Sequence, residues 1–420
     1  MANAKRAFPA LNDALTRRIV EKTAEVVKGK YIFEEDAAAM ADLLLTRLRE
    51  GAFNEHTDLQ RLTGAITEML HSVREDLHLA ALSWMPPVED VPHTGDLMES
   101  LRSRWRRNNH EFRKIEILLG NVGYVDLRGF TTAASGGPTA AAAMQFLADT
   151  DALIFDLRDN GGGRDLVYFL MSYLFDEPTH VHTARHRDHD EQAWTYGYVP
   201  GPRFPKHPVY VLISRATFSA AEDFSYNLQQ QGRVTVIGEQ TKGGAHPVEF
   251  YRFPDLFLEL AIPNAYSENP VSGGNWEDSG VVPDLEVSAE DALLAAHEKA
   301  LETLIQRAPD DDDRRYRQWA LESVRLRKRP YEPSSDSLEA CVGEYTNAVR
   351  IERIGDALTF SWSGRTYALT PLSEHRFELD HGMQRATFTV DNGQATEFLW
   401  ETEDGDAWNI RRVDEDSPAG

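Results

Sequence analysis

The stretch that decides the fold is VYVLISRATFSAAEDF, residues 209–224. Its first part, Val209–Ser214, is an apolar and β-branched run, which predicts a buried strand. A short turn follows, and a helix is expected from about Ser219 to Gln230. Ser219 therefore stands at the start of a helix, where free backbone N–H groups and the positive end of the helix dipole stabilise negative charge.

Two interpretations of Ser219 stay open on this segment alone. As a nucleophile it would attack a carbonyl carbon, and the N–H of Ala220 would donate to the oxyanion that forms. As an ordinary N-cap, Ser219 or Thr217 would simply begin the helix, and Glu222 would close a capping box.

A second informative stretch is DLRDNGGGRD, residues 156–165. It follows the run Ala152–Leu157, which predicts another buried strand. Three consecutive glycines let the backbone approach a ligand closely, with N–H groups pointing into a cavity. A bare tight turn is the alternative, and the spacing matches neither a Walker-A nor a dinucleotide loop.

Two further turns contain candidate functional side chains. VIGEQTKGGAHP, residues 236–247, carries Lys242 and His246, and GGNWEDSGVVPD, residues 273–284, carries Glu277. Taken alone, each is equally typical of an ordinary surface loop.

The chain around these motifs divides by texture. Helical spacing predicts three helices between residue 11 and about residue 83, and Pro86, Pro87 and Pro92 indicate a linker. Strand-like and helical runs then alternate over 98–300, which predicts an α/β layer on a largely parallel sheet. A charged helix broken near Pro309 follows, and residues 336–413 have the texture of a small meandering antiparallel sheet or barrel.

These textures predict four segments. They are an N-terminal helical domain (1–90), an α/β core (91–300), a helical linker (301–335) and a small antiparallel β domain with an acidic tail (336–420).

Composition excludes several classes of protein. The formal net charge is −24, which disfavours binding to nucleic acid or to an anionic membrane surface. The single cysteine, Cys341, excludes an internal disulfide and paired-cysteine zinc sites. Without a secretory h-region at the N-terminus or a long apolar run, we expect a cytoplasmic location.

Together the motifs resemble the tail-specific, or C-terminal-processing, serine peptidases, in the branch related to interphotoreceptor retinoid-binding protein and the tricorn protease core. The matching segments, in order, are EDLHLAAL, DLRDNGGG, the serine three residues before an acid, GEQTKGG and NWEDSGVVPD. The resemblance covers roughly residues 11–290. It implies a crotonase-like α/β core of the tail-specific protease type, between the N-terminal helical domain and the small all-β domain.

The resemblance also implies the site residues. In the serine–lysine members the lysine lies 25 residues after the serine, a position that Gly244 occupies here, so Lys242 is out of register. The tricorn-like arrangement instead implies Ser219 as nucleophile, His78 as general base and Glu277 as supporting acid. Leu77 stands where tricorn has a serine.

The oxyanion donors implied are Gly162 or Gly163 together with Ala220. Alternatives stay open, because His78 has apolar neighbours and fits a core histidine, and His246 is another candidate base. The patch of His180, His182, His186 and His189 is interpreted as a solvated hairpin rather than a metal site.

The leading functional hypothesis is a serine-type peptidase that acts through an acyl-enzyme on peptides or unfolded proteins, with no cofactor and no metal. The other is a non-catalytic carrier of apolar ligands of the retinoid or fatty-acid type on the same fold. A homo-oligomer is left open.

Overall fold

The computed structural model describes residues 8–86, 95–379 and 382–413. The linker prolines Pro87 and Pro92, and the end of the acidic tail after residue 413, lie outside these ranges. The described residues form two compact units, so the four-segment division stays a prediction. One unit contains Met1–Ile115, Val125–Asp149 and Phe155–Ala289, and the other contains Glu116–Tyr124, Thr150–Ile154 and Glu290–Gly420.

The helices follow in chain order. They are α1 (Asp13–Lys30), α2 (Glu34–Arg49), α3 (Leu59–His71), α4 (Gly95–Arg107), α5 (Ala133–Phe146), α6 (Leu166–Met171), α7 (Ala220–Gln230), α8 (Ala292–Arg307), α9 (Asp311–Lys328) and α10 (Ser335–Cys341). None of the helices in the described ranges is both long enough and apolar enough to cross a membrane.

Within the described ranges the strands fall into four sheets. In chain order they are β1 (Ala80–Ser83), β2 (Phe112–Leu118), β3 (Val122–Leu127), β4 (Ala152–Asp156), β5 (His180–Arg185), β6 (Asp190–Trp194), β7 (Val209–Ile213), β8 (Thr235–Gly238), β9 (Val248–Phe253), β10 (Leu258–Pro263), β11 (Tyr266–Glu268), β12 (Leu285–Glu286), β13 (Gly343–Tyr345), β14 (Val349–Ile354), β15 (Ala357–Trp362), β16 (Arg365–Ser373), β17 (Arg376–Leu379), β18 (Gln384–Asp391), β19 (Gln394–Thr402) and β20 (Ala407–Arg411).

The N-terminal helices begin at the caps that their sequences supply. Asn12 accepts from the N–H of Leu15 at the start of α1, and Asp58 accepts from the N–H of Arg61 at the start of α3. The apolar faces of α1–α3 pack with β1 and β10 around buried Ile19, Leu44 and Leu260. This amphipathic packing confirms the helical N-terminal region that the periodicity predicts.

The α/β layer is built on a six-stranded sheet of order β12-β8-β7-β4-β3-β2. Strands β3, β4 and β7 are buried along their whole length, as continuous apolar runs predict. The pairs β7–β8 and β8–β12 are parallel. The predicted α/β core is therefore confirmed, and β7 delivers the chain directly to the turn before α7.

Helix α5 differs from the expectation. The alanine-rich run over residues 139–149 predicts a helix that starts at Thr139. The helix begins six residues earlier, at Ala133, where the Thr132 side chain accepts from the N–H of Ser135. Gly136, Gly137 and Pro138 are poor helix formers, and tertiary packing overrides that local preference.

The charged segment near Pro309 forms two helices, α8 and α9. The acidic run has a local role there, because the side chain of Asp310 accepts from the N–H of Asp313 at the start of α9. The remaining acids of the run, in the first turn of α9, favour the positive end of its dipole.

The C-terminal strands form a closed antiparallel barrel. Strands β13–β20 pair consecutively, and a bridge between Tyr345 and Arg412 joins the last strand to the first. Aromatic side chains fill the interior, among them Phe360, Phe377 and Phe398. The barrel alternative of the sequence prediction is confirmed.

Candidate active site

The turn between β7 and α7 holds Ser219 in an unusual conformation. Its φ is 55° and its ψ is −120°, outside the extended region that an ordinary N-cap adopts. A positive φ is uncommon for a residue with a side chain and persists only where the surroundings enforce it. Sharp strand-to-helix turns of this kind expose a nucleophile above a sheet, so this geometry favours the nucleophile interpretation over simple capping.

The enforcing group is the carboxylate of Glu222. Its Oε2 accepts from the N–H of Ser219 at 2.8 Å and from Gly244 at 3.1 Å. Its Oε1 accepts from the Thr241 hydroxyl at 2.5 Å and from the N–H of Gly243 at 2.8 Å. Glu222 therefore ties the nucleophile turn to the GEQTKGG turn.

Glu222 is completely buried. Burial raises its pKa to about 7, against the opposing effect of the four donors. The capping box expected from the sequence is present on its Glu222 side, but it serves a larger network than one helix end.

His78 lies next to Ser219. The His78 Nε2 is 3.1 Å from the Ser219 Oγ, across 141 residues of sequence. The imidazole follows α3 and packs on the ring of Phe218, with the ring centroids 4.8 Å apart. Burial lowers its pKa to about 4, so the ring is neutral at pH 7 and its Nε2 is free to accept a proton.

The glycine turn faces the same hydroxyl. A Cβ added to Gly162 would lie 2.7 Å from the Ser219 Cβ and 2.8 Å from the Ala220 nitrogen. The N–H of Gly162 is itself donated to the Asn160 Oδ1 at 2.9 Å, so this expected oxyanion donor is engaged elsewhere. Gly163 and Ala220 both line the cleft beside Ser219, which leaves their N–H groups as the candidate pair.

Glu277, the expected supporting acid, is placed against a different histidine. Its Oε2 accepts from the N–H groups of Ala245 and His246, at 2.5 and 3.2 Å. The same oxygen lies 3.6 Å from the His246 Nδ1. The structure therefore brings Ser219 and His78 together and places Glu277 beside His246.

Asp76 completes the group around His246. Its Oδ2 lies 2.8 Å from the His246 Nδ1 and accepts from the Tyr31 hydroxyl at 3.1 Å. Burial alone would raise the pKa of Asp76, but the hydrogen bond from the His246 ring holds it below its usual range. Burial is the main cause that raises the pKa of Glu277.

Asp76, His246 and Glu277 are also the set, within the described ranges, whose ligand atoms lie within 4.8 Å of one another, as metal binding requires. Their mutual contacts are those of a hydrogen-bonded network. The sequence offers no local signal for it, because Asp76 and His246 are 170 residues apart.

The cleft above these residues has a volume of about 260 Å³. Its lining includes Arg164, Asp165, Tyr168, His182 and Asp223, together with Ser219 and His78. Apolar side chains, among them Val167, Val248 and Trp276, line the cleft together with these charged and polar groups.

His182 corrects the solvated-hairpin interpretation. Strands β5 and β6 do form a hairpin, but His182 is buried and its Nδ1 lies 3.5 Å from the Asp223 Oδ2. Although burial alone would lower the pKa of His182, the charge of Asp223 raises it above its usual value. Lys242, the other candidate, is exposed at the surface.

A comparison with models of protein families matches part of the chain. Residues 121–287 match the model of peptidase family S41. This segment contains Ser219, Glu222 and Glu277 but not His78. The predicted resemblance to the tail-specific serine peptidases is confirmed over this segment, whereas the position of His78 rests on the geometry.

Among curated proteins, the chain is similar to two named proteases. It is 29% identical over 170 residues to the carboxyl-terminal-processing protease of Picosynechococcus sp., covering 40% of each protein. It is 32% identical over 149 residues to the tail-specific protease of Haemophilus influenzae, covering 32% of this chain and 20% of that protein. The chain thus spans two fifths or less of these relatives.

Solved structures give more distant likenesses. A lipoprotein from Streptococcus agalactiae aligns with a TM-score of 0.48 at 14% identity, over 72% of this chain and 99% of that chain. The tricorn protease aligns with a TM-score of 0.47 at 12% identity, over 70% of this chain and 36% of that chain.

Proposed function

We propose that the protein is a serine-type peptidase that cleaves peptide bonds through an acyl-enzyme, with Ser219 as nucleophile and His78 as general base. The observation that carries this proposal is the 3.1 Å approach of the His78 Nε2 to the Ser219 Oγ. That approach occurs where Ser219 is held at a positive φ at the start of α7. A nucleophile and a base within hydrogen-bond reach are the minimum for covalent catalysis by serine.

The reaction follows from these positions. The Ser219 Oγ attacks the scissile carbonyl carbon while the His78 Nε2 takes the hydroxyl proton. The carbonyl oxygen becomes an oxyanion, which the N–H groups of Gly163 and Ala220 stabilise. The C–N bond then breaks as protonated His78 passes the proton to the leaving amine. A water molecule, deprotonated by His78, hydrolyses the ester and regenerates Ser219.

The alternative is a carrier for apolar ligands. The cleft argues against it, because Arg164, Asp165 and Asp223 line the space beside the hydroxyl. Burying an apolar ligand against charged groups gains little and desolvates those groups. A carrier also has no use for a serine in a strained turn aimed at an imidazole.

Labelling with a fluorophosphonate tests the proposal. The wild-type protein should be modified at Ser219, and Ser219→Ala and His78→Ala should both abolish the modification. Ser225→Ala is the matched control, because Ser225 lies on the same helix with its hydroxyl donating to the Ala221 carbonyl. A folded wild-type protein that binds fatty acid or retinoid but takes no label would support the carrier instead.

The substrate and the setting are further proposals. Peptides or unfolded proteins fit a cleft that opens beside the half-buried Ser219. The net charge of −24 supports the absence of nucleic-acid and membrane partners. A cytoplasmic location, expected from the sequence, is a further proposal that cell fractionation would test. Light scattering would show whether the chain forms the homo-oligomer that the sequence leaves open.

A further inference from the structure

Three imidazole nitrogens that line the cleft have no hydrogen-bond partner in the described part of the chain, and two of them belong to His78 and His246. The His78 Nδ1 and the His246 Nε2 are both buried and have no hydrogen-bond partner among the described residues. Both rings line the same cleft as Ser219. A protonated His246 would lower the pKa of His78 further, an effect that requires the two rings to lie close in space.

The unpartnered Nδ1 matters because of the tautomer that catalysis needs. A base that accepts the serine proton at Nε2 must carry its own proton on Nδ1. A buried N–H without an acceptor is costly, because it has lost its hydrogen bond to water and gained none in return. The competent tautomer of His78 is therefore disfavoured unless some group accepts the Nδ1 proton.

His246 has the right polarity to be that acceptor. The Asp76 carboxylate lies 2.8 Å from the His246 Nδ1 and accepts a hydrogen bond from it, which keeps the proton of His246 on that nitrogen. This hydrogen bond leaves a lone pair on the His246 Nε2. Asp76 is itself held in place, because it accepts from the Tyr31 hydroxyl and from the backbone N–H of His78.

We propose that His246, oriented by Asp76, is a positioning residue that fixes the tautomer of His78 through one bridging water molecule. The water accepts from the His78 Nδ1–H and donates to the His246 Nε2. The resulting chain runs Asp76, His246, water, His78, Ser219. A water with hydrogen bonds to buried polar groups of this kind is a normal part of protein structure.

This inference rests on the proposed function, and it reassigns the supporting acid. Glu277 is expected to support His78 by resemblance alone. In the structure Glu277 accepts from backbone N–H groups, whereas Asp76 reaches the ring of His246. Asp76 therefore controls the tautomer, and Glu277 fixes the backbone on which His246 stands.

Replacing each acid by its amide separates the two roles. In Asp76→Asn the amide NH₂ can donate to the His246 Nδ1, which moves the His246 proton to Nε2 and reverses the polarity of the chain. Fluorophosphonate labelling of Ser219 should then fall on the order of 10²–10⁴-fold, as when a catalytic tautomer is reversed. Glu277→Gln keeps an oxygen for both backbone N–H groups and should cost less than Asp76→Asn.

A nitrogen NMR measurement on His78 gives a readout that a purely structural role would not change. Wild-type His78 should carry its proton on Nδ1, and Asp76→Asn should move that proton to Nε2. Melting temperatures of all variants control for folding. A second pair decides the matter if Asp76→Asn does not fold: His246→Gln keeps an acceptor and should label faster than His246→Leu by tenfold or more, on the order of one lost hydrogen bond.

The outcomes are distinct. If the wild type takes no label, the proposed function fails, and the NMR tautomer still tests the positioning role. If the wild type is labelled but Asp76→Asn matches it in rate and in tautomer, the positioning role is wrong and the peptidase assignment stands. Glu277→Gln being the more damaging of the two would also overturn the inference.

Discussion

Two of the buried charged side chains, Arg385 of the barrel and Glu222 beside the cleft, differ in the groups that compensate their charge. The Arg385 guanidinium donates to the Glu322 carboxylate at 2.7 Å and to the Trp319 carbonyl at 2.7 Å, and it stacks 3.7 Å from the Trp319 ring. Glu222 has four hydrogen-bond donors, but no described cation pairs with it, and its pKa rises to about 7.

The difference shows which part of the protein contains an uncompensated buried charge and a strained backbone. In the barrel, opposite charge and ring stacking neutralise a buried ion. In the cleft an unpaired acid holds a strained serine beside a histidine whose Nδ1 has no partner. Strain and perturbed protonation concentrate at reactive sites, because the surrounding fold must supply the stability that they lack.

The largest expected effect separates stability from reactivity. Phe398 is fully buried in the barrel among other aromatic rings. Phe398→Ala should lower the free energy of unfolding by about 3–5 kcal/mol through lost contacts and a cavity. Denaturant unfolding measures the loss. Ile354→Ala, at a side chain that is 65% exposed, is the control, and the fluorophosphonate labelling rate of folded protein should stay unchanged in both.

The converse experiment changes the cleft. In Gly162→Ala the new methyl group would lie 2.7 Å from the Ser219 Cβ, at a φ of +97° that disfavours a side chain. Labelling should fall by about 10²–10³-fold, the size of a lost oxyanion contact. Gly161→Ala is a close control, because nothing lies within 4 Å of its added Cβ. Equal labelling rates for these neighbours would contradict the proposed arrangement.

Glu222→Gln should have a smaller effect on both properties. The amide NH₂ would face a backbone N–H instead of accepting from it, at Ser219 and Gly244 or at Gly243. We expect a loss of about 1–3 kcal/mol in unfolding free energy and about 10-fold or more in labelling rate. Exposed Glu286→Gln controls for loss of one negative charge, and an unchanged labelling rate would show that the turn holds without its carboxylate.

The smallest effect concerns pH. The folded pKa of His78, about 4, lies below its ordinary value of 6.5, so the unfolded chain binds more protons between these values. The stability contribution of neutral His78 is therefore full above pH 6.5 and falls as the pH drops toward 4. Between pH 4 and pH 6.5 the free energy of unfolding should change by about 1–2 kcal/mol less in His78→Gln than in the wild type. An identical slope of unfolding free energy against pH in the wild type and in His78→Gln would contradict this prediction.

Much of the fold follows from local pattern. The apolar runs around residues 152–157 and 209–214 predict β4 and β7 within a residue at each end. Helix α7 begins one residue after the predicted start. Such elements are encoded by continuous apolar runs and by a turn, which neighbouring residues alone determine.

The site follows from the sequence only in part. Ser219 stands out because its segment changes from strand to helix, and His78 comes from the resemblance alone. The pairing of Asp76 with His246 and the burial of His182 have no local signal, because distant segments create both contacts. The role expected of Glu277 comes from the tricorn-like arrangement, from which this chain already departs at Leu77. The structure places the Glu277 carboxylate beside His246.

The closed barrel has a consequence for any edit near its final strand. Arg412 bridges to Tyr345, and the Val413 N–H donates to the Glu344 carbonyl at 2.9 Å, so these two residues form the seam of the ring. Truncating the chain before Arg412 would remove these two contacts and leave two strand edges of the barrel unpaired. An unpaired strand edge can form backbone hydrogen bonds with a strand of another molecule. Loss of Arg412 and Val413 is therefore expected to open the barrel and to favour association between copies of the chain.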